Sequence, residues 1–289
     1  MIAHPQSLEP ALVARSFDRA SGSYDAAAAL QATVRNELLE RLELLQLKPA
    51  TILDLGAGTG LGAAALKSRY HRARVIALDI APGMLREARK HSRFWRRIET
   101  VAASATQMPL PARSVDLVFS SLMLQWCEDL DAAFTEVARV LKLGGAFMFS
   151  SFGPDTLGEL RDAWASVDEV PHVNRFLDMH DVGSALTHAG FAEPVLDVER
   201  HRLHYPDVLS LLRSLKSIGA HNVTAGRQRS LTGKQRYAAM TAAYETLRRD
   251  GRLPATWEVV YGVAWGGTPR AAPGEMVLPF AIGPAGRRL

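Results

Sequence analysis

The stretch Thr51-Ile52-Leu53-Asp54-Leu55-Gly56-Ala57-Gly58-Thr59-Gly60 constrains this chain more than any other. Its apolar half reads as a strand buried on both faces. The glycines that follow let the backbone turn tightly and approach a ligand closely. Roughly twenty residues on, the spacing at which such units place an acid, a second apolar run, Val75-Ile76-Ala77-Leu78, ends on Asp79. Strand, glycine turn, helix and second strand ending in an acid together make a nucleoside site, with the acid holding the ribose diol.

The 289 residues, 47% of them hydrophobic, support one large α/β domain with an insertion or two small domains. Cys127 is the only cysteine. That excludes an internal disulfide framework and a cysteine-based zinc cluster, and no metal is expected. No apolar run reaches membrane-spanning length, and the N-terminus has no signal-peptide core. A cytoplasmic setting, with neither membrane nor nucleic acid as partner, is the expectation. The net charge of +4 mildly favours an acidic partner and does not by itself imply nucleic acid.

Met1 to Pro10 reads as frayed, and Ala11 to Leu47 as helical, with Leu38, Leu39, Leu42 and Leu45 at helical spacing until Pro49 ends the run. Strands and helices then alternate. Strands are expected near Ile52, near Ile76, weakly near Val101, and at Val115 to Ser120 and Ala146 to Phe152. The intervening helices are Ala63 to Tyr70, Pro82 to His91 and Leu130 to Leu141, and Gly144-Gly145 turns into the last strand. This rhythm predicts a doubly wound α/β parallel sheet.

Beyond Phe152 the rhythm changes. A helix from an Asp155 cap to Val167 is expected, then a helix at Asp181 to Ala189 ended by Gly190. A strand at Val195 to Leu203, helices at Asp207 to Ile218 and Gly233 to Arg249, and a strand at Glu258 to Trp265 follow. The expected division is an N-terminal helical segment over 1–47 and a main domain over 48–265. A helical lid over about 155–176 and 206–252 would close over the sheet. A Gly- and Pro-rich tail over 266–289 is expected to be disordered.

The glycine turn excludes two common nucleotide motifs. The dinucleotide fingerprint wants its third glycine where Leu61 stands, and a phosphate-binding loop would carry a lysine after the glycines. What remains resembles the G-x-G-x-G turn of the S-adenosylmethionine-dependent methyltransferases, in which Gly56, Ala57, Gly58 and Gly60 would let the methionine moiety and sulfonium come close. The plain alternative is an ordinary strand-to-helix turn. The resemblance implies that Asp54 lies near the ligand's amino group, where a charge at a helix N-terminus is the alternative. It gives Asp79 the two ribose hydroxyls and makes Met84 either an adenine neighbour or core. Ala103-Ser104-Ala105 ahead of Met108-Pro109-Leu110 matches a family segment usually reading Gly-Asp-Ala. Ser104 replaces the Asp that accepts from the adenine amine. A hydroxyl accepts without charge and reaches less far, which shifts the task toward the backbone of Ala105. Ser121, Gln125 and Trp126, at and after the fourth strand, would line the cofactor or substrate pocket, with core packing equally open for Trp126.

These pieces together resemble the class I methyltransferase fold over about Thr51 to Phe152. The flanks are similar to the malonyl-acyl-carrier-protein O-methyltransferases of biotin synthesis, through Phe17-Asp18-Arg19-Ala20, Tyr24-Asp25, Leu124-Gln125-Trp126-Cys127, Pro171-His172-Val173-Asn174-Arg175-Phe176 and, above all, Leu212-Arg213-Ser214-Leu215-Lys216-Ser217-Ile218-Gly219-Ala220. The resemblance implies S-adenosyl-L-methionine as cofactor, malonyl-acyl carrier protein as acidic protein substrate, and methyl transfer to a free carboxylate. Such an acceptor is already ionised at neutral pH, so no catalytic triad is needed or visible. Arg213 is expected to orient the acceptor carboxylate with its planar fork. Tyr24 would close over the cofactor and donate to substrate, or serve as a buried anchor. His172 and Asn174 are candidate lid contacts. Two basic sets are available for docking: Arg86, Arg89, Lys90, Arg93, Arg96 and Arg97, and the favoured lid set Lys216, Arg227, Arg229, Lys234 and Arg236. Two other functions remain open. One is carboxyl methylation of small free diacids. The other is a methyltransferase-fold assembly factor for a respiratory complex, which Phe152-Gly153-Pro154-Asp155-Thr156-Leu157 resembles.

Overall fold

The computed structural model describes residues 9–219 and 233–267. Five parallel strands form one side of a seven-stranded sheet: β1 (Thr51–Leu55), β2 (Arg74–Asp79), β3 (Ile98–Ala102), β4 (Val115–Ser121) and β5 (Leu141–Phe152). Two long strands, β6 (Phe191–Tyr205) and β7 (Leu253–Gly266), complete it as an antiparallel pair, in the order β3-β2-β1-β4-β5-β7-β6. The order reverses between β1 and β4, and such a crevice is where open α/β sheets place ligands. Among the described residues, no helix is long and apolar enough to cross a membrane.

Alternate residues of the central strands feed opposite cores, as the period of two requires. Leu117 and Phe119 face one layer with Val34 and Leu38 of α3 (Ala29–Arg41) and Leu66 of α4 (Leu61–Arg69). Val118 faces the other, with Phe134 of α6 (Leu130–Val140) and Leu186 of α8 (Met179–His188). There Phe134, Phe147, Phe149 and Phe191 form an aromatic cluster with centroid separations of 4.9–6.3 Å. Each such ring buried contributes roughly 2–3 kcal/mol.

The expected elements are present, with differences that have local causes. The N-terminal helix is broken into α1 (Pro10–Ala20), α2 (Tyr24–Ala27) and α3. Gly22 lies in the first break and Ala28, with ψ of 43°, in the second. Asp155 does not cap the next helix, which is α7 (Gly158–Ala165). Leu157, with φ of 54°, holds the cap position, and the Asp155 carboxylate pairs with Arg200 at 2.7 Å. Gly144-Gly145 lies inside β5 beside a register shift against β4, so the strand starts five residues before the expected Ala146. Helix α8 is capped by the Asp178 side chain, which accepts from His180 N and Asp181 N, and ends before Gly190 with φ of 87°. Helices α9 (Val208–Ser217) and α10 (Lys234–Glu245) lie on the first core with α7. The tail beyond Gly267, and Ala220, Arg227 and Arg229, lie outside the described residues.

Candidate functional site

The glycine turn is pinned across the sheet. Gly56 N and Ala57 N both donate to Leu78 O, at 2.8 and 3.0 Å. All three glycines have positive φ, but space is limited at only two of them. A Cβ on Gly56 would sit 2.1 Å from Met123 Cγ, and one on Gly60 would sit 2.6 Å from Ala88 Cβ. At Gly58 nothing lies within 4 Å. Gly56 and Gly60 are therefore packing glycines, whereas Gly58 leaves room at a cavity wall.

That cavity, about 300 Å³, is lined by Gly56, Gly58, Asp79, Met84, Ser104, Ala105 and Ser121, with Tyr24, Phe17 and Trp126 across from them. Asp79 Oδ2 accepts from Gly58 N at 2.9 Å and Oδ1 from Ala81 N at 2.8 Å. Each oxygen keeps a lone pair for a further donor. Burial pushes the Asp79 carboxyl up, against the N–H groups of Ala81, Gly58 and Ile80. The Tyr24 hydroxyl is pushed up by burial and then by Asp79 and Asp25, so it stays protonated and able to donate. Asp25 accepts from Thr59 Oγ1 at 2.7 Å, fastening this N-terminal segment to the glycine turn.

Four expected cofactor residues lie off the cavity wall: Asp54, Ala57, Gly60 and Gln125. Ala57 packs against the first core and Gly60 against Ala88. Gln125 is buried, donates to Leu122 O at 2.6 Å and accepts from Ser151 Oγ at 3.5 Å. It braces Leu122, whose φ is 49°. A non-glycine residue in the left-handed region needs such support. Asp54 sits beneath the turn, 2% exposed, with Oδ2 lacking a hydrogen-bond partner. Burial pushes its carboxyl up to about 7, with the Ala63 N–H opposing and Asp79 adding to the rise. Ser104 Oγ is partly engaged by its own turn, accepting from Thr106 N at 3.2 Å.

A second cavity, about 800 Å³, adjoins the first, and Trp126 lines both. Its apolar wall includes Phe152, Leu160, Trp164 and Trp257. Among the described residues, Arg19, Arg213, Lys216 and His172 are the basic residues of its lining, and no carboxylate lines it. Arg213 and Lys216 come from α9, Arg19 from α1. Ser16 Oγ donates to Gly219 O at 2.9 Å, joining these two elements. His172 stacks on Trp164 at 3.8 Å and shares a 2.9 Å hydrogen bond with Asp168. Asn174, buried, also reaches this cavity. The sequence gives Arg19 no site role; only the packing of α1 against the end of α9 brings it here. Of the basic lid set, Arg236 pairs with Asp168 at 3.5 Å.

The donor cavity fits an adenosyl-methionine group in its chemistry: a carboxylate with lone pairs at the second strand end, open space at Gly58, and apolar Met84 and Ala105 beyond. Residues 53–149 match the methyltransferase domain family. A malonyl-[acyl-carrier protein] O-methyltransferase of Gallionella capsiferriformans is 52% identical over 262 residues, covering 89% of this chain and 90% of that one. One from a Methylovorus species is 49% identical over 290 residues, covering 98% and 96%. Among solved structures, the Haemonchus contortus phosphoethanolamine N-methyltransferase 2, in complex with S-adenosyl-L-methionine, has a TM-score of 0.54 and 19% identity. That match covers 87% of this chain and 57% of that protein, and it speaks for the fold alone. On the strength of its near-full-length relatives, this chain belongs to the malonyl-[acyl-carrier protein] O-methyltransferase family, built on the class I methyltransferase fold.

Proposed function

We propose that this protein transfers a methyl group from S-adenosyl-L-methionine to the free carboxylate of a malonyl thioester on acyl carrier protein, an early step of biotin synthesis. One observation carries the reading. Two cavities meet at Trp126, one holding the acid of a nucleoside site, the other fringed by Arg19, Arg213 and Lys216 with no carboxylate among the described residues of its lining. The names of the relatives favour this over the small-diacid and assembly-factor readings.

The cofactor supplies an electrophilic methyl on a sulfonium. As the O–CH3 bond forms the S–CH3 bond breaks, and the products are a methyl ester and S-adenosylhomocysteine, with no proton to move. The protein's task is therefore alignment and exclusion of water. Asp79 would hold the ribose and Tyr24 would cover it. Asp54 acts from beneath the turn, where an unpartnered buried oxygen favours a nearby cation. Arg213 would hold one acceptor oxygen and leave the other facing Trp126. The apolar wall of the second cavity removes water from the anion, which raises its nucleophilicity. Segments 155–176, 206–219 and 233–252 would act as the lid, and Lys216 and Lys234 would receive the acidic carrier. Intact-mass analysis of malonyl carrier protein, incubated with enzyme and cofactor, tests this. The expected result is the gain of one methylene on the acyl arm. A carrier of unchanged mass, with the cofactor bound, would overturn the reading, and equal turnover of malonyl-coenzyme A would remove the carrier from it.

A further inference from the structure

The pole of the sheet opposite both cavities has an unusual surface. Loops that enter the N-terminal ends of parallel strands share one pole, and the cavities lie at the other, beside Gly56 and Asp79. Between α5 (Pro82–Lys90) and β3 the chain turns tightly, with Arg93 N donating to Arg96 O at 3.3 Å and Arg96 N to Arg93 O at 2.9 Å. Its tip is Phe94 and Trp95, each 88% exposed and in edge-to-face contact at 4.8 Å. Leu44, ahead of β1, is 80% exposed, and Leu143, at the start of β5, is 52% exposed. These tips span four strand spacings, about 19 Å. Single exposed apolar residues are ordinary, but two adjacent aromatic rings at this exposure are not.

The charge at the same pole is mainly basic, with Glu40 and Glu193 as exposed carboxylates beside the cations. Lys48, Arg72, Arg93, Arg96, Arg97 and Arg113 are exposed there. Three other carboxylates at the same strand ends are matched by bases: Glu43 by Arg69 at 2.7 Å, Glu99 by Arg74 at 2.6 Å and Asp116 by Lys142 at 2.7 Å. The groove behind Trp95, about 570 Å³, is lined by Lys67, Lys90, His91, Arg93 and Arg96, with no carboxylate in the lining among the described residues, although Lys90 pairs with Glu87 at 2.5 Å.

We propose that this pole adsorbs to an anionic lipid surface, with Phe94 and Trp95 entering the headgroup region and the arginines meeting lipid phosphates. The observations favour a flat anionic sheet over a protein or a nucleic acid, because the apolar tips are spread across the width of the pole rather than gathered in a groove. Aromatic rings flanked by arginine suit the boundary between headgroups and acyl chains. Adsorption of this kind needs no spanning helix. It also leaves both cavities facing solvent, open to the carrier.

The test uses the full chain and sedimentation with vesicles of phosphatidylcholine alone or mixed with phosphatidylglycerol. Binding is expected to the mixed vesicles only, and to weaken as salt is raised. Replacing two cations, Lys48→Gln with Arg72→Gln, should lower partitioning about thirtyfold. Phe94→Ser with Trp95→Ser should abolish it. Both variants should keep the melting temperature and the methyl transfer of the parent, since these side chains are exposed and distant from the cavities. Absence of binding to the mixed vesicles, equal binding to neutral ones, or retained binding by the aromatic variant would overturn the proposal. So would loss of methyl transfer to carrier protein in lipid-free solution, which would reassign the pole to the carrier.

Discussion

The two cavities that meet at Trp126 are built in opposite ways. The donor cavity is made at the ends of successive parallel strands, from residues such as Leu55, Gly56 and Gly58, and the short runs Leu78 to Ile80 and Ala103 to Thr106. Its geometry is mostly backbone: positive-φ glycines, N–H groups on Asp79, and Gly56 N on Leu78 O. The acceptor cavity is made from side chains that start at Ser16 and end at Trp257, joined by contacts such as Ser16 to Gly219, 203 residues apart. Local backbone geometry is shared by a whole fold class and fixes the donor. Long-range side-chain packing differs from member to member and selects the acceptor.

If that contrast is right, variants on the donor side should change stability and cofactor affinity, and variants on the acceptor side should change turnover alone. The largest expected effect concerns Asp54. Its folded carboxyl, pushed up to about 7 from 3.8, binds its proton more tightly than the unfolded chain does. The stability it contributes is therefore present below about pH 4 and lost as pH rises toward 7, at most about 4 kcal/mol. Denaturant melts of the cofactor-free protein should show stability falling across that window. Asp54→Asn should flatten the fall, with a remainder from Asp79, whose shift has the same sign. An unchanged slope in the variant would break the donor half of the comparison.

Next, Asp79→Ala should lose about 3 kcal/mol of cofactor binding, on the order of hundredfold in Kd, read by calorimetry, because two hydroxyls lose a charged acceptor. Arg213→Ala should cost about 2 kcal/mol in kcat/KM for the malonyl carrier, roughly thirtyfold, with cofactor Kd unchanged. Arg213→Lys should recover only part, since an ammonium lacks the planar fork. Matched losses of cofactor affinity and turnover in Arg213→Ala would merge the two cavities into one functional unit. The smallest effect is expected of Ser104→Ala, below about 1 kcal/mol in cofactor binding, because Ser104 Oγ is already partly used by Thr106 N.

The sequence made the parallel half of the fold legible because each strand there is a short apolar run closed by a turn residue or an acid. It made Asp79 and the glycine turn legible for the same reason. Gln125, expected at the pocket, lies off the wall of the first cavity, because sequence adjacency to a strand end does not reveal which way a side chain turns; here it faces Leu122 O and Ser151. Asp155 looked like a cap, but its partner, Arg200, lies 45 residues away on β6. The strands β6 and β7 run to 15 and 14 residues, longer than their expected spans. Polar side chains on the exposed face of β6 interrupt the pattern that marks a strand. Arg19 could not be assigned because its role depends on where α1 packs. Its one available signal was its place beside Phe17 and Asp18 in the segment similar to the family.

The most direct test is a crystal structure with S-adenosylhomocysteine and a non-hydrolysable malonyl pantetheine bound together. The expected result is the ribose hydroxyls on the Asp79 carboxylate and the malonyl carboxylate on the Arg213 guanidinium, with the sulfur and the acceptor oxygen facing each other past Trp126. A nucleoside seated away from the ends of β1 and β2, or a malonyl carboxylate paired elsewhere than Arg213, would contradict it.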